Sequence, residues 1–181
     1  MTRGYKIRAT RKSNTCRKTA WALRKIRKHQ PKTLLETSKL GLVLVHVGNG
    51  TFRESYRITG TPLLIKFPIV ERFHDDVEGA WITYRTDDTD GKSHSRAEIR
   101  KIQKLSQFKS IRPHLPPVYY FNSKDGVMVT KYFCKIAPDW TYAPMLSAII
   151  RELTHVALED LFGDNVRLNE KNVPIFVDLG Y

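Results

Sequence analysis

Three polar residues near the end of the chain, Asp160, Asn165 and Asp178, stand in the pattern D-x4-N-x12-D-L-G, and the apolar run Ile175-Phe176-Val177 leads into the last of them. Two carboxylates and an amide on a loop–hairpin–strand pattern suit phosphoryl transfer from ATP, although a polar turn between two strands has the same appearance. One carboxylate can sit beside an attacking hydroxyl, while the other two groups hold Mg²⁺ against the phosphates. Upstream, Lys66 lies inside the apolar run Pro62-Leu63-Leu64-Ile65-Lys66-Phe67. An ammonium in a core strand is costly unless it meets an anion, and the alternative is an edge-strand lysine turned to solvent.

The elements that must position these groups follow from pattern. Leu42 to Val47 reads as a strand, Gly48-Asn49-Gly50-Thr51-Phe52-Arg53 as its turn and Glu54 to Ile58 as the return strand. Such a turn lets backbone N–H groups approach a phosphate with no side chain between, although an ordinary hairpin has the same appearance. Ile99, Ile102 and Leu105 recur at helical spacing from Ser95 onward. Glu98 on this helix has two competing readings: a partner for Lys66, or the Glu of a Ser95-x-x-Glu98 capping box. Leu115 to Phe121 and Val127 to Phe133 read as further strands, and residues 144–157 as a helix with a broad apolar face. Between Lys66 and Glu98 lies a loop-like insert with a strand over Trp81–Tyr84. Its acidic runs do not match an EF-hand.

In this order the elements resemble the protein-kinase-like superfamily over residues 40–181, in a minimal or atypical form of the Rio-like or small bacterial or phage type. The resemblance implies an α+β kinase-like fold. It has an antiparallel-sheet N-lobe with one helix (41–133) and a reduced helical C-lobe (134–181) that ends at the D-L-G segment. It also implies ATP and Mg²⁺ as cofactors. Gly48, Gly50 and Phe52 would cover the phosphates and Lys66 would hold them, fixed by Glu98. Thr130 would back the adenine pocket, Lys131 to Phe133, Tyr132 among them, would offer backbone hydrogen bonds to the base, and Arg167 would lie against it. Asp160 would orient the acceptor hydroxyl, and Asn165 and Asp178 would ligate the metal. The activity implied is that of an atypical protein Ser/Thr kinase. The alternatives are a nucleotide-binding pseudokinase scaffold and a small-molecule or sugar-lipid kinase.

Several positions depart from the family pattern. Leu158-Glu159 precedes Asp160 where an Arg is usual, and Phe162 stands where Ser/Thr kinases carry a Lys. Arg53 replaces the third glycine of the loop, where it could contact a phosphate or cap the hairpin. Arg167 stands at a usually apolar position below the base. With the lobe reduced, the apolar face of 144–157 is expected to meet a partner or a second copy. The substrate is expected to be a protein.

Residues 1–40 form a basic extension with 13 Lys or Arg against one acidic residue, Glu36, and so carry +12 of the chain's +13. Arg17 to Lys28 reads as a basic helix with Trp21 and Ile26 as its apolar contacts. Nucleic acid, an anionic membrane surface, organelle targeting, an acidic protein and a solvated tail are the open readings. No apolar run is long enough for a transmembrane segment, and two distant cysteines, Cys16 and Cys134, with no secretion signal point to a cytoplasmic protein. The scattered histidines give no zinc pattern.

Overall fold

A computed structural model describes residues 14–50, 52–69, 71–75, 80–84, 90–137, 148–152 and 165–179. In chain order its elements are α1 (Asn14–His29), α2 (Leu34–Lys39), β1 (Leu44–Asn49), β2 (Arg53–Ile58), β3 (Leu63–Pro68), β4 (Glu71–Asp75), β5 (Ala80–Tyr84) and α3 (Asp90–Leu105). A 3₁₀ turn (Arg112–His114), β6 (Val118–Phe121), β7 (Met128–Lys131), β8 (Lys135–Ile136), β9 (Val166–Leu168) and β10 (Pro174–Phe176) follow. The main sheet is antiparallel in the order β1-β2-β3-β7-β6. β4 and β5 form a separate hairpin, and β8, β9 and β10 a small third sheet. This α+β arrangement is compatible with the N-lobe of a kinase-like fold. Of the reduced C-lobe expected over 134–181, residues 138–147, 153–164 and 180–181 lie outside the described residues.

The central position of β3 explains its composition. Side chains alternate between the two faces of a strand, so Leu63, Ile65 and Phe67 turn to one face and Leu64 and Lys66 to the other. The first face meets Ile58 of β2, Val129 of β7, Leu42, and Ala22 and Ile26 of α1 in one buried cluster. Covering each such aliphatic side chain is worth about 1.5–3 kcal/mol.

Within the basic extension, Ala22 and Ile26 of α1 are fully buried in this cluster, so α1 packs against the sheet. Trp21, expected as an apolar contact, stays 41% exposed; Ala22 takes its place in the core. Arg27 also ties α1 to β6, donating to the Tyr119 carbonyl at 2.9 Å.

On the other face of the sheet, α3 begins at Asp90, five residues before Ser95. Ser95 Oγ donates to the Gly91 carbonyl one turn back at 2.9 Å, so Ser95 lies inside the helix and cannot be its cap. Gly91 lets the first turn of α3 close on the sheet. A Cβ there would stand 2.3 Å from the Ile69 carbonyl and 2.8 Å from that of Phe52. A second cluster joins Ile102 and Leu105 of α3 to Ile111, Leu115, Val166, Leu168, Phe176 and Leu179. Residues 148–152 of the expected 144–157 helix are helical; Ile150 is buried in this second cluster and Ile149 is exposed.

Candidate functional site

Register decides which residues share the face of Lys66. Ser55 of β2 and Met128 of β7 lie directly opposite it, and Arg53 pairs with Pro68 two residues further on. Arg53, Ser55, Leu64, Lys66, Met128 and Thr130 therefore project from one face of the sheet. The small β9–β10 hairpin supplies the opposing side. Asn169 Oδ1 accepts from the N–H groups of Lys171 and Val173 and closes its turn. Val166 pairs with Phe176, and the Val177 N–H donates to the Asn165 carbonyl at 2.9 Å. Asn165 and Asp178, thirteen positions apart in sequence, are thus the two ends of one hairpin.

Lys66 is 3% exposed and Glu98 2%. The Lys66 ammonium donates to Glu98 Oε1 at 3.3 Å and to the Val177 carbonyl at 2.7 Å, with Asp178 Oδ2 at 4.0 Å. Of the two readings of Glu98, the pairing with Lys66 is the one the geometry contains. Arg53 completes a ring. It is 8% exposed, and its guanidinium meets Glu98 Oε2 through Nη1 and Asp178 Oδ1 through Nη2, the latter at 2.5 Å. Two cations and two carboxylates alternate, so each buried charge has opposite charges on both sides. A paired arrangement is the condition under which ionised groups survive burial.

The same environment shifts protonation equilibria. Burial lowers the Lys66 ammonium to about 7; Asp178 opposes the shift and Arg53 adds to it. For Asp178 burial works against the charged form, but Lys66 and Arg53 outweigh it and hold the carboxyl below the ordinary aspartate range.

A half-open cavity of about 180 Å³ lies against this ring. Of the residues expected at the site, Gly48, Gly50, Lys66, Tyr132, Asn165, Arg167 and Asp178 line it; Val47, Ser55, Leu64, Lys131, Phe133 and Val177 line it as well. Thr130 pairs with Leu64 on the same face but is buried outside the lining. Phe52 is not a lining residue either: its ring stacks on His94 of α3 at 3.6 Å between centroids. Asp160 lies outside the described residues.

Of the backbone groups from Lys131 to Phe133 expected to meet a base, the Lys131 and Tyr132 N–H groups donate to the carbonyls of Pro117 and Pro62 at 3.1 and 2.8 Å. Arg53, read as a phosphate contact or a hairpin cap, instead joins Glu98 to Asp178. Alternation along β2 would have placed Arg53 on the Lys66 face, but only once the β2–β3 register is known.

Gly48 and Gly50 have no left-handed backbone. A Cβ on Gly48 would meet nothing within 4 Å, and one on Gly50 would make ordinary contact with the Arg53 carbonyl at 3.6 Å. Neither turn geometry nor packing accounts for glycine here, and both backbones border the cavity.

For a metal, the donor chemistry is an amide oxygen from Asn165 and a carboxylate from Asp178 on one cavity wall. Among the described residues no group of three or more His, Cys, Asp or Glu forms a cage. One carboxylate and one amide, completed by phosphate oxygens and water, suit Mg²⁺ shared with a nucleotide better than a resident ion. No described helix is long and apolar enough to cross a membrane.

No family model matches the chain, and no curated protein matches it. Among solved structures it is similar to one described as "PpkA-294 apo form", with 19% identity and a TM-score of 0.45. The likeness covers 75% of this chain and 56% of that one.

Proposed function

We propose that this protein is an ATP- and Mg²⁺-dependent phosphotransferase, an atypical kinase that moves the γ-phosphate of ATP to a hydroxyl on a protein. The observation that carries this reading is the buried Lys66–Glu98 pair at 3.3 Å, with Asp178 4.0 Å from the same ammonium, on a cavity that Gly48, Gly50 and Asn165 also line. Lys66 is held by Glu98 so that its ammonium faces the cavity, where polyphosphate would find it. Backbone at Gly48 and Gly50 leaves room for phosphate oxygens to approach. Asn165 and Asp178 would hold Mg²⁺, which neutralises phosphate charge when bound. Val47, Leu64 and Phe133 supply apolar wall for a base, with the Arg167 guanidinium beside them. Asp160 is assigned the acceptor hydroxyl by its place in the D-x4-N pattern.

A second reading is a nucleotide-binding scaffold that does not turn over. It is favoured by Arg53, which engages the metal-binding carboxylate, and by the Lys131 and Tyr132 N–H groups, which are already bonded. The test is phosphate transfer from γ-labelled ATP with Mg²⁺, using the protein itself and a cell extract as acceptors. Label that appears with the wild type and disappears in Asp160→Asn and Asp178→Asn establishes the kinase. Absence of label, with a rise in melting temperature on adding ATP, establishes the scaffold. With neither label nor thermal shift, both readings are wrong.

A further inference from the structure

Helix α1 carries six Lys or Arg and no acidic residue, and none of the six belongs to the site described above. At 100° per residue, Arg17, Trp21, Arg24 and Lys28 fall within about 60° of arc, nearly opposite the buried Ala22 and Ile26. All four are exposed. Among the described residues no carboxylate pairs with Arg17, Arg24 or Lys28. Trp21 sits within their stripe, one ring edge near Gly41 and the Lys25 ammonium 5.5 Å from its centroid. From Arg17 to Lys28 the stripe runs about 16 Å along the helix axis.

We propose that this outer stripe of α1 is a binding surface for single-stranded nucleic acid. The cations would follow the phosphates and Trp21 would offer a stacking face. Interleaved cations and an aromatic are what such a strand needs from a surface, and the docking of α1 leaves that set facing water. An interfacial membrane helix needs an apolar face to insert. In α1 that face is spent on the sheet, and outside it only Trp21 is apolar and large. The surface lies on the side of the sheet away from Lys66, because Ala22 and Ile26 pack against Ile58, Ile65 and Val129. Nucleic acid bound here leaves the cavity open, and the inference does not depend on the proposed activity.

The experiment is fluorescence anisotropy of a labelled single-stranded oligonucleotide, as RNA and as DNA, with the full chain over a series of salt concentrations. The comparison is with Arg17→Gln/Arg24→Gln/Lys28→Gln and with Trp21→Ala. The wild type is expected to bind with strong salt dependence. Loss of three phosphate contacts should flatten the log–log salt slope by about 2. Trp21→Ala should weaken binding about tenfold and leave the slope in place. Circular dichroism should match the wild type for both, and the triple variant should keep the wild-type melting temperature because Arg17, Arg24 and Lys28 are exposed. A triple variant that binds as the wild type does, with the same slope, overturns the proposal. So does binding to phosphatidylserine–phosphatidylcholine vesicles without binding to either oligonucleotide.

Discussion

Replacing Arg53 with Met keeps the apolar stem and removes the guanidinium that joins Glu98 to Asp178. Glu98 is buried, so its Oε2 would lose its charged partner inside the protein, at a cost of about 1–3 kcal/mol. The Asp178 side chain is one-third exposed, and after allowance for solvent screening its lost contact adds about 0–1 kcal/mol. Some of this returns, because Arg53 no longer has to be desolvated or to oppose the charge on Lys66. The net expectation is a loss of about 1–3 kcal/mol, a fall in melting temperature of roughly 2–12 °C for a chain of this size. Urea unfolding of Arg53→Met, Glu98→Gln and the double variant measures it as a cycle, with a coupling of about 1 kcal/mol or more expected between the two sites. A second readout separates the ring from a simple packing role. If Asp178 ligates Mg²⁺ as proposed, the metal would compete with Arg53 for Oδ1, so Mg²⁺ with a non-hydrolysable ATP analogue should raise the melting temperature of Arg53→Met more than that of the wild type. Additive single variants together with equal Mg²⁺ shifts would refute the ring.

Ile26→Ala should cost about 2–5 kcal/mol, because Ile26 is fully buried against the sheet. A denaturation midpoint unchanged from the wild type would refute the docking of α1. Gly48→Ala should leave stability level or raise it by up to about 1 kcal/mol while weakening nucleotide binding, since the added methyl enters open space beside the cavity. Unfolding curves and a nucleotide titration on one preparation decide between that and a structural glycine. Lys66 titrates near 7 in the fold against an ordinary 10.5. Between those values the unfolded chain keeps a proton that the folded chain has released, so this group's contribution to stability rises with pH across that window. Lys66→Met should flatten the rise; urea midpoints at about pH 7 and about pH 9 that move in parallel for both proteins would exclude Lys66 as its source.

Much of the frame is legible in short-range pattern. A lysine in an apolar strand, glycines in a hairpin turn and apolar residues at helical spacing each depend on neighbours within a few positions. Such neighbours suffice to place β3, the β1–β2 turn and the body of α3. The D-x4-N-x12-D-L-G spacing goes further, because a hairpin with Asn169 at its turn brings Asn165 and Asp178 together with no distant contact required. The basic character of α1 is equally plain from composition.

Partner choice was decided by tertiary structure. The pattern Ser/Thr-x-x-Glu occurs at both Thr33–Glu36 and Ser95–Glu98. At the first it caps α2: Thr33 Oγ1 accepts from the Glu36 N–H at 3.1 Å, and Glu36 Oε2 from the Lys32 N–H at 2.7 Å. At the second, α3 has already run for five residues, and Glu98 turns to a lysine 32 positions away. Local spacing is the same in both; what differs is the sheet packed beneath α3, which puts a buried ammonium and a buried guanidinium within reach of the second glutamate. Arg53 and Asp178 are 125 residues apart, and only the β2–β3 register and the seating of the β9–β10 hairpin bring their charges together. The docking of α1 has the same origin. Its basic face can be counted in the chain, but which stripe meets water depends on the apolar surface that the folded sheet presents to Ala22 and Ile26.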